Sequence, residues 1–294
     1  MTTVATTWGP LAEPIHSDAA GPGDPVWKDN AYLSFWDVAG GVFGSVHVST
    51  SPNGEGARRA RCSVSGHGVV VEVVEDLEPG TFSSDSIHFD LDGTVRVDHP
   101  TLQAELTYLP LYAPADYAVT GLIPELVPGK PLQHFQQGCT VTGTVTVGGS
   151  TYNLDAEGMR DRTWGFRDEV AQWVEYAGLI ATFEGAFITA IKFVSRTGEV
   201  AGDGFFATAE GVQVIERIHF RRDAAARFIR ATLELADGST RTVSITARET
   251  GFWVPMGAES DGPAFGTYDD FMQLDLDGAP GAGLFEQGII HRAA

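Results

Sequence analysis

The sequence predicts an all-β fold in which the sheets are sandwiched or closed into barrels. Three observations support this prediction: apolar and polar residues alternate along much of the chain, helical periodicity is scarce, and turn-forming pairs such as Asp-Gly separate the alternating runs. Successive side chains of a strand point to opposite faces of a sheet, so alternation is typical of strands with one buried face. Short strands joined by tight turns are typical of sandwiches and barrels.

The elements follow in order along the chain. The first 25 residues are rich in proline, glycine and small side chains and are expected to form an irregular lead-in. Alternation predicts strand structure over 42–48 and 61–74. Residues 217–230 fit a helix and a hairpin turning at 223–226 equally well. Hairpins are predicted where Asp-Gly or Gly-Gly separates alternating runs, at Asp92-Gly93, Gly148-Gly149, Asp237-Gly238 and Asp277-Gly278.

A proline-rich segment divides the chain into two predicted domains. Its alternation is weak, which is typical of a linker or crossover. Five of the 15 prolines lie in it, at Pro110, Pro114, Pro124, Pro128 and Pro131. We therefore expect an N-terminal β domain over 1–125 and a C-terminal β domain over 126–294. This division agrees with the usual domain size of about 150 residues.

Charge and composition exclude several classes of partner. The 39 acidic residues outnumber the 19 basic ones and give a net charge of −20, which repels nucleic acid and anionic membranes. No apolar run approaches the roughly 18 residues of a membrane span, and Met1–Thr7 lacks the features of a signal peptide. Cys62 and Cys139 lack any CxxC partner, so neither a disulfide framework nor a zinc site is expected. We expect a cytoplasmic protein, and exposed edge strands would allow a homodimer.

The common catalytic motifs are missing from the sequence. It contains no Walker A loop, no GxGxxG after a strand, no HExxH and no GxSxG. The eight histidines show no local spacing of metal ligands, and no metal site is expected. None of these motifs therefore indicates a function for the sequence.

Two segments combine aromatic and charged side chains. Trp27–Asp37 carries four aromatic residues, with Tyr32, Ser34 and Trp36 on one predicted strand face and Leu33 and Phe35 on the other. Gly158–Asp168 places Arg-Asp pairings on both sides of Trp164. The second segment fits a structural ion-pair cluster in which Asp161 or Asp168 accepts hydrogen bonds from an arginine. It also fits a pocket, with Trp164 as an aromatic wall and Asp161 as a proton donor or orienting group.

These segments resemble a bacterial family of two-part β proteins. That family is similar to AttH-like proteins, carotenoid 1,2-hydratase (hydroxyneurosporene synthase), tocopherol cyclase and the lipocalin-like fungal Diels–Alderases. The shared element is a strand that leads into an Asp-Arg-x-Trp motif, matched here by Asp161, Arg162 and Trp164. The glycine-rich stretch that ends at Glu286 resembles the family's closing strand. Thr163 departs from the pattern, because relatives often carry Glu or Ser there.

The resemblance implies tandem lipocalin-like β-barrels or sandwiches with a hydrophobic cavity. It also implies chemistry without a metal or an organic cofactor: alkene hydration, isomerisation, cyclisation or pericyclic reactions on hydrophobic, terpenoid-like or polyketide substrates. Protonation of an unactivated alkene requires a carboxylic acid that an apolar setting keeps protonated, together with aromatic faces that stabilise a cation.

Several residues are candidates for this chemistry. The resemblance favours Asp161, although the flanking arginines should lower its pKa and make it an orienting group. The proton donor would then be Glu175, expected on the strand face of Trp173 and opposite to Tyr176, or Glu286. His134 is a further candidate acid or base. The candidate substrate-binding residues are Tyr32, Trp36, Trp164, Trp173, Tyr176 and Arg167.

Three classes of function remain open from the sequence. The first is a cofactor-free enzyme that hydrates, isomerises or cyclises a terpenoid-like alkene. The second is a non-catalytic carrier or sensor of a lipophilic small molecule. The third is a structural or interaction protein whose aromatic residues form only a core. The resemblance favours the first class, but fold alone does not assign function.

Overall fold

The computed structural model describes residues 7–123, 125–168, 172–255 and 264–291. The chain forms two compact units, Thr6–Asp168 and Glu169–Ala294. Both are built from antiparallel strands, and the predicted all-β class with tandem barrel-like sheets is confirmed. The first unit contains β1 (Trp27–Asp37), β2 (Val42–Thr50), β3 (Arg59–Gly66), β4 (Val69–Asp76), β5 (Ile87–Asp90), β6 (Thr94–His99), β7 (Leu102–Pro110), β8 (Ala115–Asp116), β9 (Gln133–Val147) and β10 (Ser150–Phe166).

The ten strands of the first unit form one sheet, with the order β4-β3-β2-β1-β10-β9-β7-β6-β5 and β8 paired to β9. One face of this sheet carries the apolar core. Leu33 and Phe35 of β1 belong to that core, which confirms that one face of this strand is buried among apolar residues. Short 3-10 helices at Gly9–Ala12 and Glu55–Ala57 complete the described elements of the unit.

The units do not divide near residue 125, where the proline-rich segment suggested a boundary. Strand β9 pairs with β7, and β10 pairs with β1, so residues 133–166 belong to the first sheet. The segment after β7 is therefore a connection within one unit, and β8 pairs with β9 from inside it. The prediction was wrong because proline content reports a break in strand pairing and does not report which sheet the chain joins next. Pro124 lies outside the described residues.

The second unit is a closed barrel of eight strands in chain order. Its strands are β11 (Trp173–Phe183), β12 (Ala186–Ser195), β13 (Val200–Thr208), β14 (Gly211–Arg222), β15 (Phe228–Leu235), β16 (Thr240–Pro255), β17 (Ala264–Leu276) and β18 (Ala279–His291). Strand β18 pairs with β11 and closes the barrel. Apolar side chains such as Leu179, Leu233 and Phe285 pack together as one core. The expected hydrophobic cavity stays a prediction.

The predicted hairpins are confirmed. Two-residue turns at Gly148-Gly149 and Asp277-Gly278 join β9 to β10 and β17 to β18. All four residues have positive φ, between 50° and 98°, as the tightest hairpin turns require. Residues 217–230 form a hairpin rather than a helix, since β14 ends at Arg222 and β15 begins at Phe228. The run over 61–74 is not one strand, because a turn at His67-Gly68 separates β3 from β4.

The two cysteines are free and buried in the first unit. Burial raises the pKa of the Cys62 thiol to about 12, and it raises the pKa of Cys139 as well. Both thiols therefore stay protonated and unreactive at neutral pH. Among the described residues, no helix is long and apolar enough to cross a membrane.

Candidate functional site

The side chains of the Arg-Asp-Arg-Thr-Trp motif on strand β10 lie on alternate faces of the first sheet. Arg160, Arg162 and Trp164 point to the core face, and Asp161 and Thr163 point to the opposite face. The motif therefore contributes side chains to two separate clusters, one on each face of the sheet. The opposite face, called the polar face below, is defined by Asp161 and its cross-strand neighbours Tyr32 of β1 and Gln136 of β9.

On the core face, arginines tie the lead-in to the sheet. Arg162 forms an ion pair with Asp29 of β1, and both side chains are fully buried. Arg162 also donates a hydrogen bond to the carbonyl of Glu13 at 3.2 Å, and Arg160 donates one to the carbonyl of Leu11 at 3.1 Å. Burial lowers the pKa of Arg162 to about 9. This half of the motif is a structural ion-pair cluster, although its acid is Asp29 rather than Asp161 or Asp168.

Trp164 belongs to the same ion-pair cluster. Its ring stacks on His16 of the lead-in, with centroids 4.8 Å apart, and on Phe135, with centroids 5.3 Å apart. The Arg162 guanidinium lies over the ring at 5.1 Å. Trp164, predicted to wall a pocket with Asp161, therefore lies on the other face of the sheet from that residue. Strand alternation separates any two residues three apart in this way.

On the polar face, Asp161 and His134 form a close pair. The Nε2 atom of His134 lies 2.6 Å from Oδ2 of Asp161. Gln136 donates a hydrogen bond from Nε2 to the same oxygen at 3.0 Å, and the Thr163 hydroxyl donates one to Oδ1 at 3.0 Å. The carboxylate thus receives hydrogen bonds from two neighbouring strand positions as well as from the imidazole. All four side chains are buried.

These contacts set the charge of Asp161. Burial alone would raise its pKa, but the charge of His134 and the hydrogen bonds from His134, Gln136 and Thr163 outweigh burial and lower it. Asp161 is therefore a carboxylate at neutral pH. The sequence predicted this direction from the wrong cause, because the flanking arginines lie on the other face. An anionic Asp161 orients its partner and does not donate protons.

The Asp161 carboxylate leaves one ring nitrogen of His134 open. The carboxylate can only accept a hydrogen bond, so Nε2 carries the proton in the pair. The other nitrogen, Nδ1, is buried and has no hydrogen-bond partner within the described parts of the chain. Tyr117 stacks on the ring with centroids 4.9 Å apart and fixes its plane. A buried imidazole held at one nitrogen and open at the other is the arrangement of a general base.

The polar face continues across β1 and β2. Tyr32 lies opposite Asp161 on one side and opposite His47 on the other, and its ring meets His47 edge-on with centroids 5.9 Å apart. Burial, and to a smaller extent the positive charge of Arg167, lower the pKa of His47 to about 4. His47 is therefore neutral at pH 7, and Arg167 lies near enough to act on it. Trp36, predicted to bind substrate with Tyr32, shares the polar face with it.

The remaining predicted site residues lie in the barrel of the second unit. The Tyr176 hydroxyl donates a hydrogen bond to Oε1 of Glu286. Phe193 contacts the rings of both Trp173 and Tyr176, with centroids 5.1 and 6.0 Å apart. Glu286 therefore lies beside an aromatic cluster, as a cation-stabilising site would require. Asp269 of β17 lies directly opposite Glu286.

Glu175 lies on the other face of the barrel wall from this cluster. A β-bulge between Trp173 and Glu175 inserts an extra residue, so these two side chains point to opposite faces. The prediction that Glu175 shares a face with Trp173 was wrong for this reason. Glu175 forms an ion pair with Arg222 at 2.6 Å, and both side chains are about 30% exposed. This ion pair holds Glu175 away from the aromatic cluster beside Glu286, and its role as a proton donor stays a prediction.

The structure thus brings together His134 with Asp161, and Tyr176 with Glu286. The sequence predictions did not include Gln136 and Thr163, which bond to Asp161, or His47, which contacts Tyr32. The signal for the first two was the register of the Gly148-Gly149 hairpin, since a two-residue turn places Gln136 opposite Asp161 and His134 opposite Thr163. In the described ranges, no group of three or more His, Cys, Asp or Glu residues could hold a metal ion.

Solved structures with similar folds span nearly the whole chain. CghA, solved with Sch210972, has a TM-score of 0.67 and 11% identity over 92% of this chain and 90% of that one. A putative AttH from Nitrosomonas europaea has a TM-score of 0.62 and 12% identity over 97% and 98% of the two chains. Kievitone hydratase from Nectria haematococca has a TM-score of 0.55 and 13% identity over 98% and 93%.

These likenesses confirm, for the fold, the resemblance to AttH-like proteins that the motifs indicated. None of the curated proteins matches the sequence. One family model does match, over residues 13–288, and its description is a domain of unknown function, DUF7064. That match includes nearly all of both units. The chain therefore belongs to the DUF7064 family.

Proposed function

We propose that the protein is a cofactor-free acid–base enzyme of the hydratase, isomerase or cyclase type, and that His134 transfers the proton. The observation that carries this proposal is the buried His134–Asp161 pair with its open Nδ1 atom. A structural histidine is expected to satisfy both ring nitrogens, because an unpartnered buried polar atom costs about 1–3 kcal/mol. A substrate group bound at Nδ1 would remove that cost.

The pair suits a reaction that begins with proton removal. In the neutral ring, Nε2–H donates to Asp161 and the lone pair of Nδ1 accepts a proton from the substrate or from water. The imidazolium that forms is stabilised by the Asp161 carboxylate. The same Nδ1–H then returns the proton to another atom, and the enzyme regains its starting state. No other group on the polar face needs to change its charge.

Hydration illustrates the balance of atoms. A water oxygen bonds to the β carbon of an alkene conjugated with a carbonyl, while Nδ1 takes one proton from that water. The electron pair of the double bond moves to the α carbon and carbonyl oxygen, and the imidazolium then protonates the α carbon. An imidazolium is too weak an acid for an unactivated alkene, so this geometry favours a terpenoid-like or polyketide-like substrate with an activated double bond.

The comparisons support the reaction class without naming a substrate. One protein with this fold is called a hydratase, and the motif resemblance extends to hydratases and cyclases. The substrate is expected to be a hydrophobic small molecule, as in the predicted carrier function. The Tyr176–Glu286 pair is the alternative proton donor, should the reaction begin by protonation of carbon instead.

The test is a panel of lipophilic enones and unactivated alkenes incubated with the purified protein in D₂O and followed by mass spectrometry. We expect water addition or deuterium incorporation with an enone. The variants His134→Gln and Asp161→Asn should each lower the rate about 100-fold or more, the usual contribution of a general base. His99→Gln, a histidine at the end of β6 bonded to Thr101, is the matched control and should leave the rate unchanged.

Thermal unfolding of each variant separates loss of the base from loss of the fold. Equal rates for His134→Gln and the native protein would contradict the proposal. A lipophilic ligand that binds the native protein but is never converted would favour the carrier.

A further inference from the structure

A row of three serines crosses the polar face two residues along β1 from Tyr32. Ser34 of β1 lies opposite Ser45 of β2, which lies opposite Ser63 of β3. All three side chains are buried. Larger side chains flank the row, with Tyr32 and His47 on one side and Trp36 and Phe43 on the other. Three small side chains therefore lie in a row between larger ones on this buried face.

The outer serine of the row already has a hydrogen-bond partner. The Ser63 hydroxyl donates to Oε2 of Glu72 on β4 at 3.1 Å, and Arg61 binds the same carboxylate oxygen. Glu72 is thereby neutralised by a charged partner. The Ser63 end of the row has a complete polar network and needs no ligand.

Ser34 differs from Ser63. Its side chain is 0% exposed, and its Oγ atom has no hydrogen-bond partner among the residues that the structure describes. His134, which is 8% exposed, lies on the same face, and its Nδ1 atom also has no hydrogen-bond partner among the described residues. Buried polar groups are nearly always paired, so two such atoms on one buried face point to a ligand with two polar groups.

The spacing of the strands gives the distance that such a ligand must span. On β9, Gly138 lies four residues beyond His134. Gly138 pairs with Met159 of β10. Met159 in turn pairs with Ser34 of β1. Strands rise about 3.4 Å per residue and lie about 4.8 Å apart, so the backbone positions of His134 and Ser34 are about 17 Å apart. The path between them runs over Asp161, Gln136 and Tyr32.

We infer that Ser34 is a specificity-determining residue that binds the far polar end of an elongated, uncharged substrate whose reactive group lies at His134. This inference rests on the proposed function for the site at His134. The bound end of the substrate is uncharged because the Ser34 hydroxyl carries no charge to balance a charged group, and an unbalanced buried charge is costly. A hydroxyl or carbonyl at the far end completes the Ser34 hydrogen bond.

The test measures binding and needs no turnover. α,ω-Alkanediols of increasing length serve as probes, and the mono-alcohols of the same lengths serve as controls for chain burial. Isothermal titration calorimetry gives the dissociation constants. We expect the diols to bind more tightly than the mono-alcohols only above the length that spans the two polar groups. Ser34→Ala should weaken long diols about fivefold, since one hydrogen bond is lost, and leave mono-alcohols unchanged.

Ser63→Ala is the matched control, because Ser63 has the same burial and its hydroxyl is already bonded to Glu72. Its diol affinities should equal those of the native protein. The inference is overturned if no diol binds, if diols and mono-alcohols bind equally at every length, or if both serine variants weaken the diols alike. Failure of the proposed function would instead appear as a rate unaffected by His134→Gln, whatever the diols do.

Discussion

The two faces of β10 show two uses of a buried aspartate partner. On the core face, Arg162 and Asp29 form a fully buried ion pair, and the arginine also holds the lead-in at Glu13. On the polar face, Asp161 holds His134 by one ring nitrogen and leaves the other open. An arginine keeps its proton at any physiological pH, whereas an imidazole gains and loses one near neutrality. The first pair therefore serves stability, and the second can serve chemistry.

Loss of the core-face ion pair at Asp29 should have the largest effect on stability. Replacing Asp29 with alanine leaves the buried Arg162 guanidinium without its ion-pair partner, and we expect the free energy of unfolding to fall by about 3–5 kcal/mol. Urea denaturation measures this change. The control is Arg217→Ala, which removes a pair with Glu234 whose side chains are 78% and 49% exposed and should cost no more than about 1 kcal/mol. A small effect at Asp29 would show that the core-face pair is not what secures the lead-in.

On the polar face, the neutral state of His47 should make stability depend on pH. Its folded pKa is about 4, below the usual 6.5, so the unfolded chain takes up the proton first as the pH falls. The stabilisation is complete above pH 6.5 and is lost between about pH 6.5 and 4, by at most about 3 kcal/mol. His47→Gln should flatten stability against pH over this range, as measured by urea denaturation at several pH values. An unchanged pH dependence would contradict a neutral His47.

The smallest expected effect concerns the turn that sets the register of β9 and β10. Gly149 has φ of +80°, and a Cβ at this position would meet no atom within 4 Å. Gly149→Ala therefore costs only left-handed backbone strain, about 1 kcal/mol in thermal unfolding. Gly23→Ala also has space, and because the φ of Gly23 lies outside the left-handed region, it should cost nothing. Equal stability of the two variants would mean that the turn at Gly148-Gly149 is not fixed.

The local parts of this account were predictable from the sequence. The Gly148-Gly149 turn follows from composition, and it fixes the register that places Gln136 opposite Asp161. Alternation on β1 correctly separated Tyr32 from Leu33. Both signals arise from neighbours along the chain.

The nonlocal parts were not predictable. The pairing of β1 with β10 joins residues more than a hundred positions apart, so neither the Asp29–Arg162 pair nor the extension of the first unit to Asp168 could be read from the chain. The bulge beside Glu175 also carries no residue signature, and it reversed the expected face of Trp173.

Nitrogen NMR of the His134 ring would show directly which of its two nitrogens carries the proton. Comparison with His134→Gln identifies the ring signals. In the neutral ring we expect the proton on Nε2 and a bare Nδ1, and Asp161→Asn should weaken this preference. A neutral ring with its proton on Nδ1 would contradict the account, because the open nitrogen could then not accept a proton from a substrate.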